Sequence, residues 1–249
     1  MTYQGHHRHA TGHSKTRIAG FTLVEMAVVV LLIGILMGMG LVTANSVMQN
    51  TQRSVTKDRL RSIQLALMAY YRANTGVFPC PDAPVGAAVR DGVQDVAGAN
   101  CSAQFGTVPY ADLGLPRETA LDGYGNYFSY RLATNWHTAG LATTPLCASS
   151  PTVTYYKPPA PAPALTVNYS VGPAATVGIV LVSHGSNAFG AWNQGNTTAS
   201  KNASAGATAA EIANQTLGTT YNDLQTPVAP NATFDDLVAT LAPGNIICN

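Results

Sequence analysis

Three groups of residues in this 249-residue chain have types and spacings that could do chemistry: one acid in an apolar run, four cysteines, and a histidine beside serines and acids. Glu25 is the single charge between Phe21 and Val42. A carboxylate in hydrocarbon costs about 2.5–3.5 kcal/mol, so an acid placed there marks either a function or a position near the headgroups. Cys80, Cys101, Cys147 and Cys248 all follow the apolar run, and none forms the CxxC pair of a zinc knuckle or thioredoxin-type redox site. Beyond a membrane, an even number reads as two disulfides with three possible pairings; Cys80 with Cys101 would close a local loop and Cys147 with Cys248 would tie down the C-terminal segment. Buried free thiols are the alternative. His184, an acid such as Asp235 and a serine such as Ser183 or Ser186 are the types of a nucleophilic hydrolase, but no G-x-S-x-G elbow, HExxH or phosphate loop surrounds them. A lone histidine after a strand reads as a local hydrogen-bonding residue, and neither a catalytic role, a metal nor a cofactor is expected.

The elements that must carry these residues begin with a long helix. The 22 residues from Phe21 to Val42 would span about 33 Å as an α-helix, against a hydrocarbon thickness of about 30 Å. A secretory signal has a shorter apolar region ending at small residues, which this run lacks. Lys15 and Arg17 stand just before the span and the first base after it is Arg53, which favours a cytoplasmic N-terminus. The helical pattern continues to about Asn74, with Gly76 as terminator and Pro79 beyond. Leu60, Ile63, Leu67 and Tyr70 give its outer half one apolar face, while Arg53, Lys57 and Arg61 form a separate stripe that reads first as a solvated face and second as a contact for acidic neighbours. Gly34 and Gly38 weaken the helix and also provide a small-xxx-small spacing for close packing.

The segment Lys15-Thr-Arg-Ile-Ala-Gly20-Phe21-Thr-Leu-Val-Glu25 closely resembles the processing site of type IV prepilins and of the pseudopilins of type II secretion. The resemblance implies an α+β, pilin-like fold, with a long N-terminal transmembrane helix packed against a mainly antiparallel β-sheet head. It implies cleavage between Gly20 and Phe21 by a membrane-embedded prepilin peptidase, methylation of the new Phe21 amine, and a pairing of Glu25 with such an amine, its own or a neighbour's. The domains then read as leader 1–20, transmembrane half-helix 21–42, extracytoplasmic half-helix 43–75 and disulfide-bearing head 76–249. The implied partners are other pilin or pseudopilin subunits, the peptidase and the bacterial inner membrane, with the head in the periplasm. Many pilins carry a proline in the membrane segment; none occurs between Phe21 and Arg72.

In the head, strands are expected over Asn126–Ala133, Thr152–Lys157, Leu165–Val171, Thr176–Ser183 and Thr233–Leu241, and a long surface loop over Asn196–Thr216. Leu121-Asp-Gly-Tyr-Gly-Asn-Tyr-Phe-Ser-Tyr130 is similar to a pseudopilin strand entry, with Tyr124 in place of the usual Trp, and Ile179–Asn187 and Phe234–Val238 are similar to a glycine-loop strand and a closing strand. In major pseudopilins that loop helps bind calcium through acids. Here Ser186, Asn187 and Asn193 occupy it without Asp or Glu, so calcium is not expected; Asp235 or Asp236 with backbone carbonyls is the remaining way to hold it. Residues 75–249 carry five bases against ten acids, so the head lacks the clustered Lys and Arg of a nucleic-acid surface and no nucleic-acid partner is expected. His6, His7, His9 and His13 of the leader are imidazoles in a segment expected to be discarded. The leading function is structural, that of a filament subunit; an adhesive or substrate-binding module and a membrane-anchored hydrolase are the rivals.

Overall fold

Thr22 is where the helix starts. Its Oγ1 accepts a hydrogen bond from the Glu25 backbone N–H (3.3 Å) and its carbonyl accepts from Met26 N–H (3.2 Å), which satisfies two of the donors that a helix N-terminus leaves open. From there α1 runs Leu23–Ala73 without interruption. The structure, a computed structural model, describes residues 20–74, 77–83, 90–133, 136, 165–169, 174–194, 201–216, 218–223 and 234–241, with residues 38–46 and 175–176 described by backbone only. Gly76, Cys147, Cys248, residues 152–157 and the leader up to residue 19 lie outside this set.

The chain divides into two compact units, residues 1–48 and 49–249. In the first, the described side chains from Phe21 to Met37 are exposed although almost all are apolar. The helix covers the stretch expected to cross a membrane. Among the described residues, however, no helix is long and apolar enough to do so.

In the second unit the outer part of α1 lies against the head. Its buried face is Thr56, Leu60, Ile63, Leu67 and Tyr71. The last member is Tyr71 rather than the expected Tyr70; Tyr71 stacks on Phe78 (4.6 Å), which stacks on Trp136 (5.4 Å). Tyr70 is half-buried and receives a hydrogen bond from Gln94 Nε2. The basic stripe is split: Lys57 and Arg61 are exposed, whereas Arg53 is half-buried and hydrogen-bonds Tyr124.

The strands are β1 (Val96–Ala97), β2 (Asn100–Cys101), β3 (Phe105–Thr107), β4 (Asn126–Tyr127), β5 (Ser129–Leu132), β6 (Leu165–Tyr169), β7 (Ala175–Val177), β8 (Ile179–Ser183), β9 (Trp192–Asn193), β10 (Thr220–Asp223) and β11 (Leu237–Leu241), with α2 (Ala209–Asn214) between β9 and β10. The main sheet is antiparallel, in the order β11-β8-β5-β3. Its central strand, β8, is buried at every position, as an unbroken Ile-Val-Leu-Val run requires. A second sheet has the order β10-β6-β7. There β6 is antiparallel to β7 but parallel to β10.

The fold is therefore α+β with an N-terminal helix and mainly antiparallel sheets, and the strand boundaries are shorter than expected. The run expected over Thr176–Ser183 breaks at Gly178 as the chain passes from the second sheet to the first. The stretch expected as a long surface loop contains α2. Thr208 caps it and Glu211 bonds back to Thr208 N–H (2.7 Å), a capping box whose T-x-x-E signature stands in the sequence.

Candidate functional site

Two places carry the chemistry anticipated from the sequence: the helix entry at Gly20–Glu25 and the end of the main sheet near His184. At the first, Gly20 and Phe21 precede the helix and are exposed, Phe21 by 75%. A Cβ built on Gly20 would meet nothing within 4 Å. Nothing within the described fold therefore requires glycine at position 20. Glu25 sits in the first turn, exposed, at the third position after its cap Thr22. A carboxylate there also suits the positive end of the helix dipole.

The second place follows from strand register. β5 begins at Ser129, β8 ends at Ser183 and β11 begins at Leu237, and antiparallel pairing sets these three ends side by side. Ser129, His184 and Asp236 meet there. His184 Nε2 lies 2.9 Å from Ser129 Oγ, and its Nδ1 lies 3.8 Å from Asp236 Oδ1. Asp236 Oδ2 accepts from Asn214 Nδ2 of α2 (2.8 Å). Asp235 points to the glycine turn after β8, where its Oδ2 accepts from Ser186 N–H (2.6 Å), Ser186 Oγ (2.8 Å) and Asn187 N–H (2.9 Å). Gly185, at φ +59°, allows this, since a Cβ there would run into the Asp235 carboxylate. Glu211 joins from α2, its Oε1 accepting from Asn187 Nδ2 (2.7 Å). One oxygen from each of Glu211, Asp235 and Asp236 lies within 4.8 Å of the others, and all three residues are buried.

Burial dominates the electrostatics. It pushes the His184 imidazole down to about 3, helped by the nearby Lys201 cation, so the ring is neutral at physiological pH. The Asp236 carboxyl is pushed up to about 8, by burial first and by Asp235 and Glu211 as like charges, against the Asn214 hydrogen bond that favours the anion. Asp122 is likewise raised by burial, although it accepts from Tyr124 N–H, Asn126 N–H and Ser183 Oγ.

The serines named from sequence do not join His184. Ser183 donates to Asp122 and Ser186 donates to Asp235, so the histidine takes Ser129 and Asp236 instead. Ser129 and His184 have no exposed surface, and a nucleophile must reach its substrate. In this conformation the arrangement is a buried polar clasp holding β5, β8, β11 and α2 together. Asn187 lies in the clasp, whereas Asn193 belongs to β9 and pairs with Asn126. The loop that lacks acids of its own thus receives three from other segments. The sequence alone points to Asp235 beside His184 and to Asp235 or Asp236 as the remaining cation ligands; Glu211 escapes a local reading because it lies in a helix expected to be loop. Of the cysteines, Cys80 and Cys101 are joined by a disulfide, with Cα atoms 5.2 Å apart.

Residues 15–41 match the family model described as the prokaryotic N-terminal methylation motif, the prepilin-type motif of type IV pilins and pseudopilins. No curated protein and no solved structure matches the chain.

Proposed function

We propose that the chain is a structural subunit of a type IV pilus or type II secretion pseudopilus, cut by a prepilin peptidase between Gly20 and Phe21 and assembled through its N-terminal helix. In this reading Phe21 becomes the methylated terminus. Residues 21–42 anchor the subunit in the inner membrane, the head is periplasmic, and Glu25 neutralises a terminal amine in a medium of low dielectric, where that attraction is strong. The observation that carries the reading is the methylation motif over residues 15–41. Its geometry is consistent: the scissile bond lies in exposed backbone just before a helix whose own cap is Thr22.

Glu25 has a second role available, since Thr22-x-x-Glu25 is a capping-box sequence. Two substitutions separate the roles. Gln at position 25 serves a capping box as Glu does but cannot offset an ammonium; Leu removes both functions while making the span more apolar. The expected result is that Glu25→Gln and Glu25→Leu are both processed and inserted, and both fail to enter sheared fibres or crosslinked membrane complexes. Normal incorporation of Glu25→Gln would reduce the carboxylate to a helix cap and remove charge pairing from the reading.

A further inference from the structure

We propose that the head carries two unlike contact patches that fit each other across copies of this chain: the β1–β2 hairpin of one copy docks on the exposed face of the outer part of α1 of the next. The contact rests on the subunit reading, since each patch is small and needs anchored copies held close together. Within residues 49–249 the exposed large apolar side chains, among the described residues, are Leu65, Val93, Val96 and Ile212. A single exposed apolar residue is ordinary. Here, however, the charges around Leu65 and around the two valines differ in sign.

At the hairpin, Val93 and Val96 alternate along the chain with Asp91, which is exposed, and Asp95, which is half-buried. Asp112 adds a third carboxylate, its Oδ2 accepting from Gln94 N–H (2.5 Å). The bases of this region are engaged elsewhere: Arg90 is buried over the Tyr127 and Trp192 rings, and Arg117 Nε donates to Tyr127 Oη (2.7 Å). The tip is also held firmly. Cys101 of β2 is bonded to Cys80, Asp95 Oδ2 accepts from Ala83 N–H (2.7 Å), and Gly92 O accepts from Ala111 N–H (2.8 Å). A contact made by such a tip loses little conformational freedom.

On α1, exposed Leu65 has Arg61 one turn before it and Arg72 two turns after it on the same face, with Lys57 at the edge and Asp58 as an opposing acid. Among the described residues these three bases have no hydrogen-bond or ion-pair partner. The two patches of one chain face different ways. Gln94 Nε2 donates to Tyr70 Oη (3.0 Å), which sets the hairpin on the Tyr70 side of the helix. Leu65, five residues earlier, points about 140° away from that side. Unlike patches on different sides of one body join head to tail and extend without closing, and their opposite charges fix which patch meets which.

The test uses the full chain in membranes with the cognate peptidase, as co-expressed epitope-tagged and untagged copies. A carbodiimide, which couples amines to carboxylates in contact, should join Lys57 of one copy to Asp91 or Asp95 of another, as peptide mapping of tagged-to-untagged dimers reads. Asp91→Lys and Arg61→Glu should each be cut at Gly20, keep the Cys80–Cys101 bond and fall about fivefold or more in recovery from sheared fibres or membrane complexes. The chain carrying both changes should recover to near the parent, which a folding defect would not do. Asp91→Asn, which still accepts from Val93 N–H, should show a smaller loss in the same direction. Normal recovery of both single reversals, or a double variant as poor as either, would overturn the contact. So would a parent that is cut and enters fibres without the Lys57 crosslink, an outcome that leaves the subunit reading standing. A parent that enters no fibre or membrane complex would instead remove the subunit reading, and the presence or absence of the crosslinked peptide would then decide the contact by itself.

Discussion

Gly20 and Asp82 illustrate how differently a single residue can be constrained. At Gly20 a side chain would meet nothing, so the glycine answers to something outside the described fold. Gly20→Leu should fold as the parent does and remain uncut. Mass spectrometry of the membrane fraction checks both halves, and cleavage before Phe21 in that variant would break the link between glycine and processing. Asp82 is constrained from within. It is buried, its Oδ2 accepts from Gly92 N–H (2.8 Å), and Asp91 and Asp95 stand near it. Desolvation first, then those two charges, push its carboxyl up to about 7, while Arg90 is the cation whose field reaches it. The folded state therefore holds this proton more tightly than the unfolded chain. Asp82 contributes a loss of stability that begins near pH 4, grows to about pH 7 and then levels off, at most about 4 kcal/mol. Asp82→Asn, which can still accept from Gly92, should flatten the fall in unfolding free energy between those pH values. An unchanged slope in denaturant titrations would remove Asp82 as its source.

At the scale of elements, the seam between α1 and the head is polar as well as apolar. Arg59 Nη1 donates to the carbonyls of Leu121 and Asp122 (3.1 Å each), Gln64 Nε2 donates to Thr240 O (2.9 Å), and Thr56 Oγ1 accepts from Gly123 N–H (2.9 Å). Gly123 approaches so closely that a Cβ would overlap the Gln52 carbonyl. Gly123→Ala should cost about 1–3 kcal/mol by forcing the two apart. Thr56→Val keeps the volume but leaves the Gly123 N–H without Thr56 Oγ1, again about 1–3 kcal/mol. Because the two act at one contact, the double variant should cost less than the sum in urea unfolding; full additivity would mean that the contact is not shared. Much of this element was legible beforehand: Leu60, Ile63 and Leu67 lie on the buried face, and the helix ends at Ala73, beside the expected boundary. Arg59 and Thr56 were not, because a helix period marks apolar faces, whereas the partner of a polar side chain is set by which loop comes to lie against it. The clasp was hidden for a related reason. His184 was visible as a residue worth explaining, but Ser129, Asp236 and Glu211 are brought to it by strand register and by a six-residue helix, information that no local window holds.

For the whole head, the disulfide and the sheet order set the terms of stability. Cys80–Cys101 closes a loop with a sequence separation of 21, which by chain entropy contributes about 3 kcal/mol. Reduction, or Cys80→Ala with Cys101→Ala, should lower the urea midpoint accordingly, and non-reducing peptide maps should recover this pair. A midpoint unmoved by reduction would mean that the unfolded loop is already compact. The sheet order has a different bearing, on the route by which the head is made. β8 lies between β5, which precedes it, and β11, which arrives only after β9, α2 and β10. Until β11 docks, a strand of Ile-Val-Leu-Val-Ser has one edge of open backbone donors and acceptors, the kind of edge that pairs with strangers. Completion also waits on contacts distant in sequence, which form slowly. The newly made head should thus pass through a sticky adolescence, in which a chaperone or a second nascent chain competes with β11 for the same vacant edge.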